Sequence, residues 1–380
     1  MRVLYVLTRD DKYGSPMALM ELITTLKKID KNFEPVVLTP TCNDINKKCN
    51  DLKIENYSIL YGTSMYIKRD YIKNILRFLI YKYGNIVSLK KISKTINLKN
   101  IDIIHSNNSV IDFGYLISKK YNIPHVWHIR EFADQDFNYY PFDKKYINKM
   151  NDSNYCVTIS KVIDNYWKEK KLLKSNIIND GIDFDSIETK KEYNKEKKLK
   201  ILFIGSLCSG KGQYKLINAL SMIDKNIISN LDVHFVGSGS NKYVEELKQM
   251  INKYNLSKTI KFDGYNNNIR KIIKDYDLGI ICSKKEGFGR VTVEYMASGL
   301  CVIASNSGAN PEIICDNKTG ILFDYENDSD LYEKIIYVYK NRDKIREIGT
   351  NAAADVRKKY SKEINAGNVY KLYMEIKENK

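Results

Sequence analysis

The stretch Cys282-Ser283-Lys284-Lys285-Glu286-Gly287-Phe288-Gly289-Arg290-Val291-Thr292-Val293-Glu294-Tyr295-Met296-Ala297-Ser298-Gly299 reads as the end of a strand, a glycine-bearing loop and a helix. The apolar run closes near Cys282, the helix opens about Arg290, and Gly299 stands where a helix end favours glycine. Such a turn leaves backbone N–H groups exposed at the helix start, and the helix dipole adds to their attraction for an anion such as a diphosphate. Gly287 and Gly289 let a ligand approach the main chain closely. Glu286 lies in the loop and Glu294 about one turn into the helix, so both can face one cleft at different depths. Carboxylates accept hydrogen bonds from sugar hydroxyls. A ligand carrying a sugar on one side of a diphosphate and a ribose on the other would occupy both. The plain alternative is a pair of solvated glutamates favoured by the helix start itself.

Outward from this stretch, short apolar runs alternate with helical segments. In the first half the runs are Val3–Leu7, Pro35–Thr39, Ile101–His105, Pro124–Ile129 and Tyr155–Ile159. In the second they are Leu199–Gly205, Leu231–Gly237, Ile260–Gly264, Leu278–Cys282, Leu300–Ala304 and Gly320–Phe323. Continuous runs of this kind mark buried parallel strands, and their alternation with helices marks an α/β fold of two doubly wound, Rossmann-like domains. The polar segment Ile187–Lys200 is the expected linker, which divides the chain into 1–186, 187–360 and a C-terminal helix 361–380 that could pack on either domain. Ligands of such sheets bind beyond the carboxyl ends of the strands, so a cleft between two facing domains is the expected site.

At this point the chain resembles a family. Glu286-x7-Glu294 in a loop–helix is followed by Met296-Ala297-Ser298-Gly299, then Val302-Ile303-Ala304-Ser305, then Gly308-x-x-Pro311-Glu312-Ile313 and Gly320. Together with Gly14, His128, Asp180-Gly181-Ile182-Asp183 and Gly205-x5-Lys211-Gly212, this order looks like family 4 of the retaining glycosyltransferases, which have the GT-B fold. The resemblance implies that Glu286 meets hydroxyls of a donor sugar, Glu294 the nucleotide ribose, and Lys211 the diphosphate as its bond to the sugar breaks. Gly287, Phe288, Gly289, Arg290 and Val291 would line the donor. The family usually has an arginine where this chain has Ser206, which moves part of the phosphate binding toward Arg290. His128, in Trp127-His128-Ile129-Arg130-Glu131, resembles the active-site histidine, and His105 ends a neighbouring strand. Gly14-Ser15-Pro16 reads as a turn, an N-cap and a first-turn proline that bring backbone amides near the phosphates. Tyr265, beyond Ile260–Gly264, would contact the base.

Composition narrows the partners. The 380 residues are 43% hydrophobic and 28% charged, with 62 Lys and Arg against 46 Asp and Glu, a net charge of +16 that suits an anionic partner. Neither zinc-finger spacing nor an aromatic RNA-binding motif is present, which disfavours nucleic acid. The longest apolar stretches, of about six residues, fall short of the ~20 of a bilayer span, and the opening run Met1–Asp10 is too short for a secretory signal. The expected location is therefore cytoplasmic. Seven cysteines with no CxxC spacing favour neither zinc nor redox chemistry. Gly237-Ser238-Gly239 lacks the third glycine of a dinucleotide fingerprint and has Lys242 there instead. Asp134-Gln135-Asp136 is a DxD that Asp183/Asp185 and Asp328/Asp330 match equally well, so the pattern is uninformative and no metal or cofactor is expected. The basic segment 66–99 carries Lys68, Arg69, Lys73, Arg77, Lys82, Lys90, Lys91, Lys94 and Lys99, with Ile72, Ile75, Leu76, Leu79, Ile80 and Tyr83 at helical spacing. It either lies on an anionic membrane face or packs its stripe on its own sheet. The resulting expectation is a metal-independent, retaining transferase. It would move a sugar from a UDP-sugar or related donor to a hydroxyl acceptor, a lipid-linked saccharide in surface-polysaccharide assembly. A sugar-nucleotide epimerase and a non-catalytic transferase-like subunit are the alternatives.

Overall fold

The computed structural model describes residues 1–8, 14–68, 70–190 and 197–379. Arg9 and Asp10 of the opening run, Arg69 of the basic segment, residues 191–196 of the linker and Lys380 lie outside the described residues. The chain divides into two compact units, Met1–Gly181 with Lys362–Lys380, and Ile182–Ser361.

The first unit runs β1 (Arg2–Val6), α1 (Gly14–Ile29), β2 (Glu34–Thr39), α2 (Asp44–Asp51), β3 (Glu55–Ser58), β4 (Met65–Ile67), α3 (Tyr71–Leu79), α4 (Asn85–Thr95), β5 (Ile103–Ser106), α5 (Phe113–Tyr121), β6 (His125–Ile129), α6 (Asp134–Phe137), β7 (Tyr139–Pro141), α7 (Tyr146–Asn151), β8 (Tyr155–Thr158), α8 (Lys161–Glu169) and β9 (Asn176–Ile177). Its sheet has the order β3-β2-β1-β5-β6-β8-β9 with every pair parallel. Val3, Leu4, Tyr5 and Val6 are all buried because helices cover both faces, which is why these strands read as continuous apolar runs. On one face α1 packs Leu19, Leu22, Ile23 and Leu26 together with Ala366, Val369, Leu372, Tyr373 and Ile376 of the final helix, Lys362–Glu378. That helix thus returns to the first unit after the chain has built the second. On the other face Ile92 and Ile96 meet Phe113 and Ile117.

The second unit runs β10 (Leu199–Ile204), α9 (Gln213–Ser221), α10 (Lys225–Ile228), β11 (Leu231–Val236), α11 (Asn241–Lys253), β12 (Ile260–Gly264), α12 (Ile269–Ile272), β13 (Leu278–Ile281), α13 (Arg290–Ala297), β14 (Cys301–Ser305), α14 (Asn310–Ile313), β15 (Ile321–Phe323), α15 (Asp330–Lys340) and α16 (Arg342–Lys359). The sheet order is β12-β11-β10-β13-β14-β15, again all parallel. Cys282 and Cys301 lie in its core as small apolar side chains. After β11, Ser240 caps α11 through its side chain on the Tyr243 N–H, so the Gly237-Ser238-Gly239 segment is a tight strand–helix turn.

Every apolar run of the sequence holds a strand, with ends displaced by at most two residues. The strands that were not legible lie at an edge or outside the main sheets. Edge strand β3 is polar, and β4 pairs antiparallel with β7. Two expectations need correction. Ser15 does not cap α1; it stands in the first turn, and its Oγ accepts from Asn107 Nδ2 at 3.1 Å. The stripe of the basic segment does not pack on its own sheet. α3, a single π-helical turn at Ile80–Gly84 and α4 form one helical rod in which Ile72, Ile75, Leu76, Leu79 and Tyr83 are exposed.

Candidate active site

In the second unit β10 lies between β11 and β13, where the strand order reverses, and the loops beyond β10 and β13 leave the sheet at its ligand-binding edge. The first loop carries Ser206 and, in a short turn at Ser209–Lys211, Lys211; the second carries Glu286 to Gly289. Lys211 Nζ lies 2.9 Å from Glu286 Oε2. A partly exposed pair of this kind contributes about 0–1 kcal/mol to stability, so exchanging it for ligand contacts costs the fold little. Gln213 Nε2 donates to the Ser206 carbonyl at 3.0 Å and shapes the first loop, while its buried Oε1 has no partner among the described residues.

The second loop is held from below. Gly289, with φ of +89°, precedes the first residue of α13, a left-handed conformation that side chains resist. Gly308 lies directly under Glu286: a Cβ there would stand 2.5 Å from the Glu286 nitrogen, and the next residue's N–H donates to the Glu286 carbonyl at 2.8 Å. Phe288 is buried against the Tyr360 ring, at 5.5 Å between centroids. Thr292 Oγ1 donates to Asn310 Oδ1 (2.9 Å), Asn310 Nδ2 to the Ser305 carbonyl (3.2 Å), and Ser305 Oγ to the Ser283 carbonyl (2.6 Å). Tyr295 joins the two loops' supports, because its hydroxyl accepts from the Ile204 N–H at 2.7 Å and donates to the Leu202 carbonyl at 3.1 Å. Arg290 and Val291 are half-buried at the start of α13, and Gly287 is half-buried in the loop.

Glu294 is mostly buried and already holds a cation. Arg270 donates to its Oε1 from Nε (3.0 Å) and Nη2 (2.8 Å), and from Nη1 to Ser186 Oγ (3.1 Å). The sequence reading missed Arg270; its only signal is a basic residue in the short helix α12 that follows the polar turn after β12. Tyr265 stands 70% exposed in the turn between β12 and α12, and no hydrogen bond or ring contact among the described residues ties it to either glutamate.

In the first unit His128 lies within β6, fully buried. Tyr373 of the final helix donates to the Tyr5 hydroxyl (3.2 Å), so its oxygen accepts from His105 Nδ1 (2.6 Å). His105 Nε2 then accepts from His128 Nδ1 (3.1 Å), leaving a lone pair on His128 Nε2, which is buried without a partner among the described residues. Burial, followed by the Arg130 guanidinium, holds both imidazoles well below their ordinary pKa, so both rings are neutral. Arg130 forms a buried ion pair with Asp180 and donates from Nε to Asn107 Oδ1 (3.0 Å), whose amide reaches Ser15. One network therefore links Ser15, the residues around His128 and the Asp180 of the Asp180-Gly181-Ile182-Asp183 motif. Glu131 accepts from the Ser109 N–H (2.5 Å) and Oγ (2.7 Å); burial nevertheless pushes its carboxyl up to about 7. Gly14 opens α1 at the surface.

The DxD aspartates are engaged locally. Asp134 binds the Tyr166 hydroxyl and Lys170, Asp136 accepts from the Phe132 N–H, Asp183 from the Asp185 N–H and Asp330 from the Asp324 N–H, and Asp328 pairs with Lys215. Among the described residues no three or more His, Cys, Asp or Glu side chains form a metal-binding group.

Two α/β units, each built on an all-parallel sheet flanked by helices, give the chain the GT-B fold. Residues 185–355 match the family described as glycosyl transferases group 1. It is 28% identical over 298 residues to an uncharacterised glycosyltransferase of Methanocaldococcus jannaschii, covering 77% of this chain and 80% of that one. It is 24% identical over 259 residues to the Escherichia coli O-antigen biosynthesis glycosyltransferase WclY, covering 65% and 72%. The Anabaena protein HepE, solved in complex with UDP, superposes with a TM-score of 0.81 at 18% identity over 99% of this chain and 100% of that one.

Proposed function

We propose that this protein is a glycosyltransferase that moves a sugar from a UDP-sugar to a hydroxyl of a lipid-linked saccharide at the inner face of a membrane, in surface-polysaccharide assembly, with retention and without a metal. The observation that carries the reading is the Lys211–Glu286 pair between the two switch-point loops, beside the amide groups that open α13. Lys211, Arg290 and those amides take up negative charge on the diphosphate as the anomeric C–O bond breaks, a stabilisation that acts where the charge develops. Glu286 accepts from hydroxyls of the donor sugar, and Glu294 exchanges Arg270 for the ribose hydroxyls. Ser206 and Gln213 border the diphosphate. In the first unit the lone pair of His128 accepts from an acceptor hydroxyl. The acceptor oxygen bonds to the anomeric carbon on the face that the diphosphate leaves, and the departing phosphate oxygen takes the acceptor's proton. UDP in the Anabaena structure and the O-antigen role in the name of WclY support the donor and the pathway class.

The test is nucleotide release from a panel of UDP-, GDP- and ADP-sugars, with and without detergent-solubilised lipid extract. UDP release from one donor, stimulated by lipid and reduced about 100-fold or more in Lys211→Ala and Glu286→Ala, is the expected result. Wild-type rates in both variants would remove these residues from the site. Conversion of a donor to an isomer without acceptor would instead identify an epimerase.

A further inference from the structure

Among the described residues, nine of the twenty large apolar side chains that stand exposed lie between Tyr71 and Val87. Ile72, Ile75, Leu76, Leu79, Tyr83, Ile86 and Val87 recur at steps of three and four, and Ile72 is 86% exposed. The rod that carries them is fixed from its opposite side. Asn85 Oδ1 accepts from the Gly62 N–H at 2.8 Å, the Ser88 hydroxyl donates to the Leu60 carbonyl, Tyr81 donates to Asp112 at 3.1 Å, and Ile92 is buried. Phe78 meets the Phe142 ring edge-on, at 5.4 Å. The apolar face is therefore held outward by the hydrogen bonds of a polar inner face, which is the reverse of an ordinary surface helix.

Charge selects the occupant. From residue 70 to 99 the chain has seven Lys and Arg and one acid, Asp70, which Arg77 neutralises at 3.1 Å. Lys73, Lys82, Lys90, Lys91 and Lys94 are exposed, and Lys82 Nζ hangs over the Phe78 and Tyr83 rings at 5.7 and 5.6 Å, beside the apolar face. A second copy docking through the same face would set these cations against each other. A surface that is apolar below a layer of phosphates satisfies both features.

We propose that the 71–94 rod is a membrane-docking face for an anionic lipid bilayer, seating its apolar side chains at the acyl boundary and its lysines on head-group phosphates. This deepens the lipid-linked-acceptor reading and rests on it for the purpose of docking, not for the binding itself. The experiment is sedimentation of the full chain with phosphatidylglycerol or phosphatidylcholine vesicles. The protein should pellet with the anionic vesicles, about ten-fold or more weakly with neutral ones or in high salt. Ile72→Glu with Ile75→Glu should abolish pelleting while circular dichroism and UDP binding stay unchanged, and Lys82→Glu with Lys90→Glu should weaken it about ten-fold or more. Glu286→Ala should pellet like the wild type, so a failed transferase assay leaves the docking result standing. Absence of binding to anionic vesicles, or equal binding by wild type and variants, overturns the proposal. Self-association lost in the Ile72/Ile75 variant, without vesicle binding, overturns it too and assigns the face to a second copy.

Discussion

A carboxyl as deeply buried as that of Glu131 is uncharged at acid pH and must ionise inside the protein as the pH rises. Its folded pKa of about 7 stands above the ordinary 4.5, because loss of solvent outweighs the two Ser109 hydrogen bonds. A raised pKa contributes stability that is fully present below pH 4.5 and is lost as the pH climbs through 7. The difference is about 3 kcal/mol. Glu131→Gln should remove that pH dependence, which urea denaturation at pH 5 and pH 8 will read; an equal pH slope in both proteins would disprove it. The same scale explains why His128 was legible and its partners were not. A strand-end histidine in Trp127-His128-Ile129-Arg130-Glu131 is visible in sequence, whereas the neutral ring and its tautomer depend on His105 and on Tyr373, which is 268 positions beyond His105.

At the scale of elements, the strand–loop–helix from Cys282 to Gly299 was readable because each of its parts has a local cause: an apolar run, glycines at a turn, a helix opening and a glycine at its end. What the local pattern does not reveal is how the loop is held. The Gly308-x-x-Pro311-Glu312 segment is its floor, and Gly308 has φ of +60° in addition to its close approach to the Glu286 backbone. Gly308→Ala should therefore lower stability by about 1–3 kcal/mol and displace Glu286, so that transfer falls about ten-fold or more. The check is kcat with saturating donor beside a thermal melt. An unchanged kcat would mean that the loop does not depend on this floor. The helical rod of residues 71–95 shows the converse, since its 3.6-residue periodicity predicted a helix but not which side would face water. Asn85, Ser88 and Tyr81 decided that by taking the inward positions.

For the whole molecule, the final helix is the main dependence between distant parts of the chain. Ala366, Val369, Leu372, Tyr373 and Ile376 are buried in the first unit's core, and burial of large apolar side chains stabilises by about 1.5–3 kcal/mol each. Their sum is comparable to the ~5–15 kcal/mol that holds a domain folded. Deleting residues 362–380 should unfold the first unit and leave the second, which has its own core, as a protease-resistant fragment near Ile182–Ser361. A truncated chain that melts like the intact protein would refute this. The alternation of apolar runs with helices, the glutamate spacing and the glycine turns determined by themselves the two wound α/β units and the strand–loop–helix that carries Glu286 and Glu294, because those signals are local or periodic. Only the tertiary structure decided that the final helix joins the first unit, that Arg270 occupies Glu294, that His105 and Tyr373 stand behind His128, and that the basic rod turns its apolar face outward. Each of these is a contact between residues far apart in the chain, where burial and hydrogen bonding rather than local propensity choose the partner.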